Sequence, residues 1–142
     1  MDSRRFAENP LIHPGLSPEI GTNINGPSAP ACRGEVARPL GHSTRFAHHQ
    51  GTFIRMAYAD DVRGPWTVYP GGVLRLDETA CREHIASPDV HVLPEQRRIV
   101  MYFHGLRRRD SARSGPRPSG NGLHFAAERT ILGPFYFRAF YP

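Results

Sequence analysis

The amino-acid sequence predicts an all-β protein, and three observations favour that fold class. Gly and Pro number 14 each among 142 residues and separate short apolar runs without a fixed period, which is typical of strands joined by tight turns. Several of these runs alternate apolar and polar residues, as strands with one buried face do. The order of turn and strand signals also recurs along the chain, which indicates a repeated β unit.

The first unit follows a segment, residues 1–22, that is punctuated by Pro and Gly and is predicted to be extended. The sequence NINGPSAP at 23–30 predicts a turn that enters a short strand. FAHHQGTFIRMAYAD at 46–60 predicts a β-hairpin, and DVRGPWTVY at 61–69 predicts a further turn and strand.

The second unit has the same order. ASPDVHV at 86–92 enters a strand, RRIVMYFHG at 97–105 is the next strand, and SGNGLHFAA at 119–127 supplies a turn and an outer strand. Equivalent residues recur at similar offsets: Pro27 and Pro88 are 61 positions apart, Phe46 and Tyr102 are 56 apart, and Trp66 and Phe125 are 59 apart. A repeat of this length with a few strands per unit is the pattern of β-propeller blades.

We therefore expect an incomplete β-propeller domain over residues 23–142, with a first blade at 23–80 and a second at 81–130. Residues 131–142 open a third unit, rich in aromatic residues that need a packing partner. The expectation is two four-stranded blades and a bare first strand of a third, in a truncated chain. A complete two-sheet β domain that ends on an edge strand is the alternative.

Charge and composition exclude some classes of protein. The net charge of +5 comes from 18 arginines against 13 acidic residues, and the sequence contains no Lys. A cluster from Arg107 to Arg117 can contact phosphates, but its Ser-, Gly- and Pro-rich surroundings lack aromatic residues, so a solvated loop is favoured over a nucleic-acid interface. The two cysteines form no C-x-x-C spacing. Without an apolar leader or the ~18 apolar residues of a membrane span, the sequence predicts a cytoplasmic protein with no membrane partner.

Five segments carry a resemblance to a known family: NGPS, FAHHQGTFIRMAYADDVRGPW, HIASPDVHV, MYFHG and GPFYFRAF. Together they resemble the N-terminal half of bacterial five-bladed β-propeller proteins of the glycoside hydrolase family 43 type, in the arabinanase, levansucrase and invertase superfamily. The similarity extends from about Asn23 to the C-terminus. It implies a funnel at the propeller axis that is lined by the first strand of each blade and binds carbohydrate. It requires no cofactor, although it allows an axial calcium or other ion.

The resemblance also implies a pair of carboxylates, because one must donate a proton while the other supports water or the anomeric carbon. Where the first-blade carboxylate is expected, this chain has NGPS, and the Asn25 amide can bind a hydroxyl but cannot take up a proton. Asp89 in the second blade is then the candidate catalytic residue. The general acid, a Glu from a later blade, is expected beyond Pro142.

In HIASPDVHV, residues 84–92, Asp89 and His91 alternate with two valines, so both polar side chains are predicted on one face, beside the strand that begins at NGPS. A carboxylate next to an imidazole suits the binding of sugar hydroxyls or a mutual adjustment of pKa. An aspartate that only caps the turn after Pro88 is the open alternative.

The remaining candidate sugar-binding residues are His48, His49, His84, His104, Arg55, Arg138 and Tyr136. The histidines lack the spacing of a metal motif such as H-E-x-x-H, so no transition-metal site is predicted. The guanidinium groups can clamp a carboxylated or polyhydroxylated sugar, and Tyr136 can stack on one. We expect the other large aromatic residues to pack between blades: Trp66, Tyr102, Phe103 and Phe125.

Two functions follow from these expectations. The chain is either a fragment of a glycosidase that hydrolyses O-glycosyl bonds, inactive alone for lack of a complete carboxylate pair, or a non-catalytic carbohydrate-binding or scaffold propeller. A third and weaker interpretation is an RNA-binding β domain that uses the arginine cluster.

Overall fold

The computed structural model describes residues 4–21, 25–30, 43–49, 51–107, 125–132 and 136–141. These residues form antiparallel strands and short 3-10 turns, so the predicted all-β class is confirmed. None of the helical turns in this part of the chain is long and apolar enough to cross a membrane.

The first sheet contains five strands: β1 (Asn25–Ser28), β2 (Ser43–His49), β3 (Phe53–Ala59), β4 (Thr67–Val68) and β5 (Leu74–Arg75). Strands β1 to β4 are neighbours in chain order, and β5 also pairs with β3. The predicted hairpin is formed by β2 and β3, with Phe46 opposite Met56. Its turn contains Gly51 at a φ of 74°, where a Cβ atom would lie 2.6 Å from the Cβ of His84, so this tight approach requires glycine.

The second sheet contains four strands: β6 (Cys81–Leu93), β7 (Arg98–Arg107), β8 (Ala126–Leu132) and β9 (Tyr136–Tyr141). Their order is β6-β7-β9-β8, so β9 lies between β7 and β8 and pairs with both. The prediction that residues 131–142 supply a bare third-unit strand is wrong, because ladder hydrogen bonds on both edges stabilise this aromatic strand inside the second sheet. The sheet is therefore not a simple meander.

The two sheets share one hydrophobic core. Its largest fully buried side chains include Phe103 and Phe125, so both are packed in the core, together with Ile54, Met56, Leu74, Ile85, Ile99 and Met101. Backbone hydrogen bonds also join the sheets: the Ile85 N–H donates to the Gly51 carbonyl at 2.8 Å, and the Phe125 N–H donates to the Val73 carbonyl at 2.8 Å. The strands that carry the candidate residues of both units are thus held in one packed structure.

The N-terminal segment packs on the opposite face of β3. It is not simply extended, since it forms 3-10 turns at Pro14–Leu16 and Pro18–Ile20, the second capped by the Ser17 hydroxyl, which accepts from the Glu19 N–H at 3.2 Å. Leu11, Ile12 and Leu16 pack against a cluster that contains Trp66. The prediction that Trp66 packs between blades is therefore wrong, because this segment supplies its apolar partners.

Candidate functional site

A groove of about 480 Å³ lies between β1 and β6, next to the candidate residues of HIASPDVHV. One wall is Pro27–Pro30 and the other is Pro88–Leu93. The predicted juxtaposition of NGPS with this strand is confirmed: the Val90 N–H donates to the Ser28 hydroxyl at 2.9 Å across the two sheets. Ser28 is buried by this contact, and sequence reasoning had given it no role.

A β-bulge aims the Asp89 side chain. The register of β6 against β7 shifts between Ala86 and Asp89, and Ser87 has a φ of 49°. Pro88 lacks an N–H and therefore fits a bulge, where no ladder hydrogen bond is needed. Gly26 of β1 has a φ of 56° and lies so close that a Cβ atom there would be 3.3 Å from Ser87 Cα. The Gly and Pro residues of both segments thus bring the two strands together.

Asp89 and His91 form a hydrogen-bonded pair at the groove. His91 Nε2 lies 2.9 Å from Asp89 Oδ2, so the predicted placement on one face is confirmed. A carboxylate only accepts, so Nε2 carries the proton in this contact. The side chains are 49% exposed for His91 and 67% exposed for Asp89, which leaves further donor and acceptor sites open to a ligand.

Tyr102 belongs to the same face, and its predicted role between blades is wrong. It pairs with Asp89 on one side and with Arg138 on the other, and directly paired residues of antiparallel strands share a face. Its half-buried ring makes an edge contact with the His91 ring at a centroid distance of 5.7 Å. The sequence could have predicted this placement, because in MYFH the apolar Met101 and Phe103 alternate with the amphipathic Tyr102 and His104, as they do in a strand with one buried face.

His84 and His104 form a second contact on this sheet, with ring centroids 5.6 Å apart in an edge arrangement. Burial lowers the pKa of His104 from its ordinary value, and the positive charge of a protonated His84 lowers it further. His104 is therefore favoured as a neutral imidazole, which can both donate and accept a hydrogen bond. The structure thus brings Asp89, His91, His84, His104 and Arg138 onto one sheet, whereas the sequence analysis had placed Arg138 in a third unit.

Arg55 lies apart from these residues, on the first sheet. Its Nη1 is 3.3 Å from Glu19 Oε2, and its guanidinium lies 4.1 Å from the Phe53 ring centroid. It lines a different cavity, between β3 and the N-terminal segment, although Pro27 contributes to both cavities. Arg55 therefore does not line the groove that contains Asp89, and its role in sugar binding stays a prediction.

The side chains of Asn25, His48, His49 and Tyr136 lie outside the described part of the structure. Their backbones are placed by register: Asn25 pairs with His48, and Tyr136 pairs with His104. The arginine cluster also lies outside the described residues from position 108 onward. Among the described side chains, no three His, Cys, Asp or Glu residues are grouped as a metal ion would need.

Comparisons with known proteins give one partial similarity. Over 69 residues, the chain is 33% identical to an uncharacterized protein of Acanthamoeba polyphaga mimivirus. The match covers 42% of this chain and 19% of the viral protein, so the chain spans well under two thirds of that relative. No protein-family profile and no solved structure matches the chain. The functional inference therefore depends on the chemistry of the groove.

Proposed function

We propose that this chain is part of a five-bladed β-propeller of the glycoside hydrolase family 43 type and that it binds carbohydrate in the groove between β1 and β6. The observation that carries the proposal is the solvent-exposed Asp89–His91 pair, joined at 2.9 Å beside the ring of Tyr102. The similarity of its segments to that family, and two antiparallel sheets over a shared core, support the propeller.

The groove offers what a sugar ring requires. Neighbouring hydroxyls of a sugar each donate and accept hydrogen bonds, and Asp89 accepts while the second ring nitrogen of His91 offers a further hydrogen-bonding site. The Tyr102 ring, which contacts the His91 ring next to the groove, would offer an apolar surface for the carbon-bound hydrogens of the sugar. The wall formed by Pro27–Pro30 is rigid at its prolines, so little conformational freedom is lost when a ligand binds.

Binding rather than hydrolysis is the activity we propose for this chain. Hydrolysis needs two carboxyl groups that flank the scissile bond. Among the described residues that line the groove, Asp89 supplies the only carboxylate. Asn25, at the place of a first-blade carboxylate, cannot act as a base. The second candidate function is glycoside hydrolysis with Asp89 as the catalytic carboxylate, which its exposure and its imidazole neighbour favour.

Calorimetric titration of the purified chain with arabino- and fructo-oligosaccharides tests this proposal. We expect binding that falls by about tenfold or more in Asp89→Asn, because a hydrogen bond to a charged acceptor contributes roughly 1.5–3 kcal/mol. The matched control is Asp77→Asn, which removes an equally exposed carboxylate that pairs with Arg75 at 3.2 Å, and it should bind normally.

Two results would change the assignment. Absence of binding to any of the oligosaccharides contradicts the proposal. Turnover of an aryl glycoside that Asp89→Asn abolishes and Asp77→Asn preserves would establish the glycosidase instead.

A further inference from the structure

A second cavity, of about 300 Å³, lies between the outer face of β3 and the N-terminal segment. Its lining is mainly apolar and includes Leu11, Ile12, Ile20, Met56, Trp66 and Val68. Arg55 is the only charged residue among its described lining residues. A cavity of this kind differs from the groove, whose lining contains a carboxylate and an imidazole.

The Arg55 guanidinium is buried with incomplete hydrogen bonding. Its side chain is 10% exposed, and its Nε is buried with no hydrogen-bond partner among the described residues. Burial lowers the pKa of Arg55, and the attraction of Glu19 offsets this only in part. Since a buried charged donor without an acceptor is costly, the native fold retains this group at a cost in stability.

Glu19 is a weak partner for this cation. The contact between Glu19 Oε2 and Arg55 Nη1 is 3.3 Å long, and the same oxygen also accepts from the Gly71 N–H at 3.2 Å. The Glu19 side chain is 44% exposed, so water competes for it and weakens the attraction. Glu19 takes one donor, on Nη1, and the Nε donor has no partner among the described residues, so a second anion would supply an acceptor that this part of the structure lacks.

We infer that this cavity binds a small monocarboxylic acid with an apolar body. The planar carboxylate would accept hydrogen bonds from the guanidinium N–H groups of Arg55. The apolar body of the acid would displace water from the apolar residues that line the cavity. A single negative charge matches a single cation, whereas a dianion would be repelled by Glu19 more strongly than a monoanion. The cavity is at the small end of the usual range of ligand pockets, which favours a compact acid.

Trp66 makes a direct test possible, because it is the only tryptophan in the chain and it lines the cavity. The intrinsic fluorescence of the full chain would be measured during titration with hexanoate, with hexanol as the uncharged control and hexylamine as the cationic control. We expect a saturable response to hexanoate with an affinity about tenfold higher than that of hexanol, as expected for a charge-assisted pair. Hexylamine should bind no better than hexanol.

Three variants locate the carboxylate. Arg55→Met should remove the preference for hexanoate over hexanol, while Arg75→Met, which removes an exposed arginine paired with Asp77, should keep it. Glu19→Gln should raise the affinity for hexanoate by roughly threefold or more, because it removes the competing anion. If Arg55→Met does not fold, the wild-type preference and Glu19→Gln decide the matter.

Equal affinity for hexanoate and hexanol in the wild type overturns the inference, and so does the absence of a saturable response to hexanoate. Unchanged or weaker hexanoate binding in Glu19→Gln overturns it as well. None of these outcomes bears on carbohydrate binding, which is measured with different ligands and at different residues.

Discussion

Asp89 and His91 at the groove and Arg55 and Glu19 at the apolar cavity are two hydrogen-bonded pairs that differ in solvent exposure. Asp89 and His91 are 67% and 49% exposed, whereas Arg55 is 10% exposed beside a more exposed Glu19. An exposed pair contributes only about 0–1 kcal/mol to stability, so a ligand can replace it at little cost. A buried cation carries a desolvation cost that an incomplete partner does not offset. The groove is therefore suited to polar ligands, and the cavity to an anion with an apolar body.

The largest expected effect concerns the core that supports both sites. Phe103→Ala should lower the free energy of unfolding by ~3–5 kcal/mol, because Phe103 is 2% exposed and its removal leaves a cavity. Tyr102→Ala, one position away on the half-exposed face, should cost less stability but weaken carbohydrate binding. Urea unfolding of both variants checks this. Equal losses of stability would contradict the assignment of the two faces of β7.

A buried glycine of β7 gives the next largest effect. A Cβ atom at Gly105 would lie 2.6 Å from the His84 carbonyl oxygen and 2.7 Å from Cys81 Sγ, so Gly105→Ala should destabilise the protein by ~1–3 kcal/mol through overpacking. Gly71→Ala is the control, since a Cβ atom there would have no heavy atom within 4 Å and only the φ of 77° opposes the change. Thermal unfolding should rank Gly105→Ala as the more damaging, and the reverse order would contradict the close approach.

In the apolar cavity, by contrast, a substitution is expected to raise the stability of the protein. Arg55→Met should raise the free energy of unfolding by about 1 kcal/mol, because it replaces a desolvated cation by an apolar side chain of similar length and leaves behind only Glu19, which is 44% exposed and stays in contact with water. Arg75→Met, at an exposed position, should stay within about 0.5 kcal/mol of the wild type. Chemical denaturation measures both. A clear loss of stability in Arg55→Met would show that its pair with Glu19 is strongly stabilising.

The smallest expected effect is a change of stability with pH that is caused by the titration of His104. Its pKa is lowered in the folded state by burial and by His84, so below the unfolded value of ~6.5 the unfolded chain binds more protons. The contribution of His104 to stability is thus fully present above that value and is lost as the pH falls. Urea midpoints at about pH 7.5 and about pH 5 should differ less in His104→Gln than in the wild type. His84→Gln should also reduce this difference, because it removes one of the two causes of the lowered pKa of His104. If the difference stays unchanged in both variants, His104 is not the source of the pH dependence.

Local sequence patterns predicted the groove better than the cavity. Asp89 and His91 are two positions apart, and strand alternation alone places them on one face. The place of Arg55 depends on Glu19, which is 36 positions away and lies in a segment without periodicity. The position of β9 between β7 and β8 was missed for a similar reason, since strand order in a sheet depends on packing between distant parts of the chain.

The most direct test of carbohydrate binding in the groove is a nuclear magnetic resonance titration of the labelled chain with the oligosaccharide that binds best. We expect saturable shifts of the backbone amides of Asp89, His91 and Tyr102 that disappear in Asp89→Asn. We also expect no shift of the Trp66 indole N–H, which donates to the Val62 carbonyl at 3.2 Å in the other cavity. Shifts centred on Trp66, or no saturable shift at Asp89 and His91, would contradict carbohydrate binding in the groove.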